Sequence, residues 1–144
     1  MNVKKKCNPM NNNELWKLKA GFILASASVN RRALLDEVRL VPDKIVSPEI
    51  DEEILKGETP ARYVKRISIE KAKAVAKEYP NTCIVAADTV LAAGRRIIRK
   101  ANTADEAKAN LQLLSGRSHK VLTGLAIVAP DGKIISRVNI SCVT

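Results

Sequence analysis

The chain has 144 residues, 46% of them hydrophobic, and 25 basic against 15 acidic side chains give it a net charge of +10. That length suits one compact domain with a real core and no need of a disulfide or metal staple. Its apolar runs fall short of the roughly 18 to 20 residues of a membrane helix, and with only Trp16, Phe22, Tyr63 and Tyr79 as aromatics it lacks the stacking platform of single-strand nucleic-acid binders.

Cys7, Cys83 and Cys142 are odd in number and stand at no metal-ligand spacing, the pattern of a reduced, cytoplasmic protein. Residues 1–19 hold five lysines against Glu14 and no signal-peptide core. They read as a flexible basic extension ahead of a single domain over residues 20–144. The remaining positive charge suits a phosphate-bearing partner.

In chain order, Phe22 to Ala25 reads as a strand and Val29 to Val38 as a helix, with Leu34, Leu35 and Val38 on an inward face. A weaker strand follows at Lys44 to Ser47. Thr59-Pro60 joins a capping hydroxyl to a proline at the first helical position, and predicts a helix to about Tyr79 with Tyr63, Ile67, Ala74 and Val75 facing in. Pro80-Asn81 ends it. Cys83 to Ala87 is apolar throughout, which predicts a central strand covered on both faces. After a turn at Gly94 and a short strand at Ile97-Ile98, Thr103 caps a helix with Asp105 and Glu106 in its first turn. Leu111 and Leu114 of that helix are expected to face in, with Gly116 just past its end. Val121 to Val128 and Lys133 to Val143 flank Pro130-Asp131-Gly132 and predict a closing hairpin. Strands alternating with helices make this an α/β domain.

Two regions carry chemistry. Where the first strand runs into its helix, Ser26, Ser28, the free N–H groups of the helix start and the guanidiniums of Arg31 and Arg32 form a seat for phosphate. Asp88 follows the apolar run 83–87, and open α/β sheets bind ligands beyond the carboxyl ends of strands. A carboxylate there can deprotonate a water or hold a divalent cation, with Asp51, Glu52 and Glu53 as further oxygen donors. Lys71 and Lys100 can neutralise charge on phosphoryl oxygens. Plainer roles stand beside these: Asp88 as a turn carboxylate, 51–53 as a solvated loop, Lys71 as an exposed helix charge, Ser26 and Ser28 as caps, His119 as a hydrogen-bonding or packing residue.

The pieces also occur in a recognisable order. Ile23-Leu24-Ala25-Ser26-Ala27-Ser28 with Arg31 and Arg32, Ile50-Asp51-Glu52, Tyr63-Val64-Lys65-Arg66-Ile67, Glu70-Lys71-Ala72, Ala87-Asp88-Thr89-Val90, Lys100 and Leu114 to Val121 with Thr123-Gly124 resemble the Maf family of nucleoside triphosphate pyrophosphatases. The resemblance implies the twisted mixed sheet flanked by helices of the inosine-triphosphatase-like fold. It implies a house-cleaning enzyme that cleaves nucleoside triphosphates to monophosphate and pyrophosphate with Mg²⁺ or Mn²⁺. Asp88 would be the proton acceptor, Glu52 and Asp88 the metal ligands, and Ser26, Ser28, Arg31, Lys71 and Lys100 the triphosphate contacts. Asn30 and Thr89 fall on specificity positions, and threonine at the latter accompanies thymidine and uridine triphosphates.

The chain departs from the family at Val29-Asn30, where most relatives have Pro-Arg, and at Ala101, where proline is usual. Family chains also continue beyond the strand that ends here near Thr144, with a helix and a base-reading glutamine. A C-terminally truncated domain is therefore expected, with two further readings: a weakly active nucleotide-binding fragment or homodimer joined through an uncovered sheet, and a nucleic-acid module using the basic tail.

Overall fold

The computed structural model describes residues 21–144, so the extension expected over 1–19 lies outside the described residues. Strands β1 (Ile23–Ala25), β2 (Lys44–Val46), β3 (Ile84–Ala93), β4 (Arg96–Ile98), β5 (His119–Val128) and β6 (Ile134–Val143) form one sheet in the order β2-β1-β3-β5-β6, with β4 paired to β3 off that path. The pairs β1·β2 and β1·β3 are parallel, while β3·β4, β3·β5 and β5·β6 are antiparallel. This is the mixed, helix-flanked α/β sheet expected from the sequence, with the apolar run at its centre.

Among the described residues, three helices flank the sheet: α1 (Val29–Glu37), α2 (Pro60–Glu78) and α3 (Ala104–Leu114). Each starts where a hydroxyl accepts one of the unpaired N–H groups of the first turn. Ser28 caps α1 by accepting from Arg31 N, Thr59 caps α2 from Arg62 N, and Thr103 caps α3 from Glu106 N. Helix α2 carries the burial. Its Tyr63, Val64, Ile67, Ser68, Ala72 and Val75 are sealed against the sheet, where they meet Ile84, Ala86, Val90, Leu122 and Ala126. Each of the larger apolar side chains contributes about 1.5–3 kcal/mol of burial.

The other two helices differ from expectation. Neither α1 nor α3 has a buried residue, and Leu34, Val38 and Leu111 are exposed at 61%, 62% and 69%. Of the stripe expected on α1 only Leu35 packs, and it reaches the second sheet face built on Phe22, Leu24, Cys83 and Val85. Helical spacing marks which residues share a face, but not whether a partner covers it. In α2, Ala74 is half-buried and Ala72 takes the inward place. No helix among the described residues is long and apolar enough to cross a membrane.

Strand β3 does not stop at Ala87. Its antiparallel ladder with β5 runs from Ile84↔Val128 to Ala92↔Lys120 and carries Asp88 and Thr89 through the middle of the strand. The other edge of β3 is interrupted, because β1 pairs with it only as far as Ala86 and β4 begins opposite Leu91. Among the described residues, no strand therefore lies beside 87–90 on that side. The site opens at this gap, so Asp88 still lies beyond the carboxyl end of a strand, which is β1.

Strand β5 meets α2 at Gly124, where an added Cβ would strike the backbone carbonyl of Val64. Only a glycine lets the helix approach this closely, and no flexible side chain is available to move aside. Gly124→Ala is expected to lower the unfolding free energy by about 1–3 kcal/mol, the range for overpacking a dense core, read from urea denaturation midpoints at unchanged m-value.

Candidate active site

The loop after β2 brings Glu52 over the sheet. One turn into α2, the Tyr63 hydroxyl donates to the Glu52 carbonyl at 2.8 Å, and Arg99 Nη1 donates to the same oxygen at 3.0 Å. Arg66 holds the next stretch, with Nη2 at 2.8 Å from the Glu53 carbonyl and Nε at 2.7 Å from Glu58 Oε2. Asp51, expected as a ligand donor, instead accepts from Glu53 N at 3.0 Å and shapes the loop.

So held, Glu52 reaches the ammonium of Lys71, which rises from α2 between two carboxylates. Lys71 Nζ lies 2.6 Å from Glu52 Oε1 and 2.9 Å from Asp88 Oδ1. Burial alone would lower the Lys71 pKa, but hydrogen bonds to Glu52 and Asp88, with their charges, outweigh it and the net shift is upward. The side chain is therefore an ammonium at neutral pH. Lys71 and Asp88 are each 16% accessible whereas Glu52 is 44% accessible, so the Asp88 pair is the less screened by solvent.

A hollow of about 500 Å³ opens beside this cluster, lined among others by Glu52, Tyr63, Asp88, Thr89, Arg99 and Lys100. Lys100 lines the same hollow as the two carboxylates. The strand-to-helix junction forms an adjacent seat. Ser26 Oγ accepts from Arg31 Nη1 at 2.8 Å and from Ser28 N at 3.2 Å, and Arg31 Nη2 lies 3.5 Å from Thr89 Oγ1. Thr89 in turn shares a 3.0 Å hydroxyl bond with Thr123. Burial lowers the Arg31 pKa against the opposing pull of the Asp88 charge, yet arginine stays cationic.

Nine residues were expected at the site, and the structure divides them. Glu52, Lys71 and Asp88 meet directly, Lys100 and Thr89 border the same hollow, and Ser26, Ser28 and Arg31 form the adjoining seat. Asn30 is set apart, exposed on α1. Ser28 is committed as the α1 cap. Tyr63 and Arg99 border the hollow without having been expected there. Tyr63 reads as part of a core stripe, and periodicity says nothing of a hydroxyl at the ring's far end. Arg99 stands beside Lys100, and that adjacency was its one signal. His119, expected to bond or pack, sits at the start of β5 with its Nδ1 buried and unbonded.

The family model described as Maf-like protein matches residues 21–144. The dTTP/UTP pyrophosphatase of Caulobacter vibrioides is 49% identical over 116 residues, covering 81% of this chain and 60% of that protein. The dTTP/UTP pyrophosphatase of Paramagnetospirillum magneticum is 43% identical over 125 residues, 87% and 66% of the two chains. The nucleoside triphosphate pyrophosphatase of Anaplasma marginale is 42% identical over 123 residues, 85% and 63%. The chain thus spans about three-fifths to two-thirds of the length of these relatives. Among solved structures, the Staphylococcus aureus Ham1 protein superposes at a TM-score of 0.59 and 16% identity, over 85% of this chain and 70% of that one. A dITP/XTP pyrophosphatase from Mycobacterium abscessus gives 0.53 and 18%, over 85% and 72%. At such identity these two show the fold alone.

The pairing of Glu58 with Arg66 carries a pH signature. The hydrogen bond from Arg66 holds the Glu58 carboxyl below its usual 4.5. Its contribution is therefore complete above that value and disappears as pH falls through the lower folded-state pKa. Glu58→Gln is expected to flatten the loss of stability below about pH 4.5, seen as a weaker pH dependence of the thermal midpoint.

Proposed function

The chain belongs to the Maf-like protein family, and from that premise we propose that it is a nucleoside triphosphate pyrophosphatase, cleaving its substrate to a nucleoside monophosphate and pyrophosphate. The observation that carries this reading is the Glu52–Lys71–Asp88 cluster, set at the break in the edge of β3 beside a hollow that Lys100 also lines. The relatives named as pyrophosphatases agree with it.

In the proposed reaction a water attacks the α phosphorus. Lys71 occupies Asp88 Oδ1, which leaves Oδ2 to take the water's proton. The P–O bond to the bridging oxygen breaks and pyrophosphate departs with the electron pair. Lys71, Lys100 and Arg31 balance the negative charge that spreads over the phosphoryl oxygens. Ser26 and the first N–H groups of α1 orient the chain of phosphates.

Glu52 and Asp88 also suit a divalent cation. Both carboxylates already converge on one positive group, and hard cations such as Mg²⁺ and Mn²⁺ take one or two carboxylates with the rest of the shell from water and phosphate. Such an ion would neutralise the phosphates and lower the pKa of water. Thr89 and the names of the Caulobacter and Paramagnetospirillum relatives favour thymidine or uridine triphosphate as substrate. The cysteine pattern favours a reducing compartment such as the cytoplasm.

A panel of nucleoside triphosphates incubated with Mg²⁺ or Mn²⁺ tests the reading. Pyrophosphate and monophosphate are the expected products, activity should stop with a chelator, and Asp88→Asn should lower kcat by about 10²–10⁴. Orthophosphate as the initial product, or full activity in the Asn variant, would overturn it.

A further inference from the structure

We propose that Arg99 is a positioning residue for this reaction, a strut that holds the Glu52 backbone so that its carboxylate stays over Lys71 and Asp88. The proposal rests on the pyrophosphatase reading and adds a residue to it. Glu52 lies in a stretch without regular structure, between β2 and α2, and residues 51–57 are all exposed. A carboxylate in such a loop would ordinarily lose its order to backbone and rotamer entropy. Here its carbonyl is gripped twice, by the Tyr63 hydroxyl at 2.8 Å and by Arg99 Nη1 at 3.0 Å. The two donors come from different parts of the fold, one from the first turn of α2 and one from the residue after β4. A single carbonyl accepting from both is triangulated against the sheet.

Arg66 secures the neighbouring Glu53 carbonyl, but its remaining donors are spent on Glu58 and Glu70. Arg99 differs in place. It borders the hollow and directly precedes Lys100, so its bond ties the Glu52 loop to the segment that carries Lys100. Burial pushes the Tyr63 phenol up, with Arg99 opposing, and the protonated hydroxyl remains a donor. The planar fork of arginine is suited to this span, whereas the single ammonium of lysine offers no second rigid donor.

Amide hydrogen exchange at Glu53 and Leu55, whose N–H groups bond Asp51 and Glu58 within the loop, reads the strut directly. Steady-state pyrophosphate release reads its consequence. Arg99→Ala is expected to speed exchange at both amides while leaving β3 unchanged, and to lower kcat by about 10–100-fold, the usual cost of losing an outer-shell partner. KM should change by less than about threefold, because a lost uniform binding contact would act on KM instead. Tyr63→Phe should reproduce both effects in milder form, and Arg99→Lys should recover only part of the loss. Unaltered exchange, unaltered kcat, or a change confined to KM overturns the proposal. An unsubstituted chain that cleaves no nucleoside triphosphate overturns the parent reading, and this one with it.

Discussion

A single ammonium between two carboxylates organises the functional half of this molecule. Lys71 rises from the long helix between Glu52 and Asp88, and its one ammonium lies within hydrogen-bond distance of both carboxylates. Removing a partner from such a cluster leaves charge without compensation, which costs far more than the pair itself contributes. The arrangement needs three independent pieces of chain to arrive together: a loop after β2, the middle of α2 and the middle of β3. Helix α2 is therefore both the main source of core burial and the mount for the central charge.

Two different kinds of contact keep those pieces in place. Below Lys71 the helix is held by apolar packing and by the glycine that lets it lie against β5. Above it the loop is held by polar grips on consecutive carbonyls, from Tyr63 and Arg99 on one and Arg66 on the next. Packing is rigid but unspecific in direction, while hydrogen bonds fix direction. A site built on a loop gains the precision of one built on regular structure only when such bonds are present.

Much of this was legible in the residues. The apolar run at 83–87 announced the central strand, Pro130-Asp131-Gly132 the closing hairpin, and Ser28, Thr59 and Thr103 the helix starts, because each rests on local chemistry. The ordered set of motifs pointed to the family. What stayed hidden was set by tertiary partners. Asp88 interrupts an apolar run and so resembles a strand's end, yet the ladder with β5 carries the strand past it. Leu34, Val38 and Leu111 look like inward positions, but only a covering neighbour makes them so. The grip of Tyr63 and Arg99 on a distant carbonyl leaves no trace in spacing or composition.

The broken edge of β3 has a consequence for how the molecule assembles. One lip of the break, β4, is joined to β3 by a tight local turn, whereas the other lip, β1, must find β3 across some sixty residues of intervening chain. Closing a loop of that length is the costlier search, and nonlocal parallel pairing is slow relative to hairpin formation. The two sides of the cleft are thus made on different clocks. The phosphate seat at Ser26 comes into register with Asp88 only through this nonlocal pairing, so the nucleotide cleft is whole only once β1 has found β3.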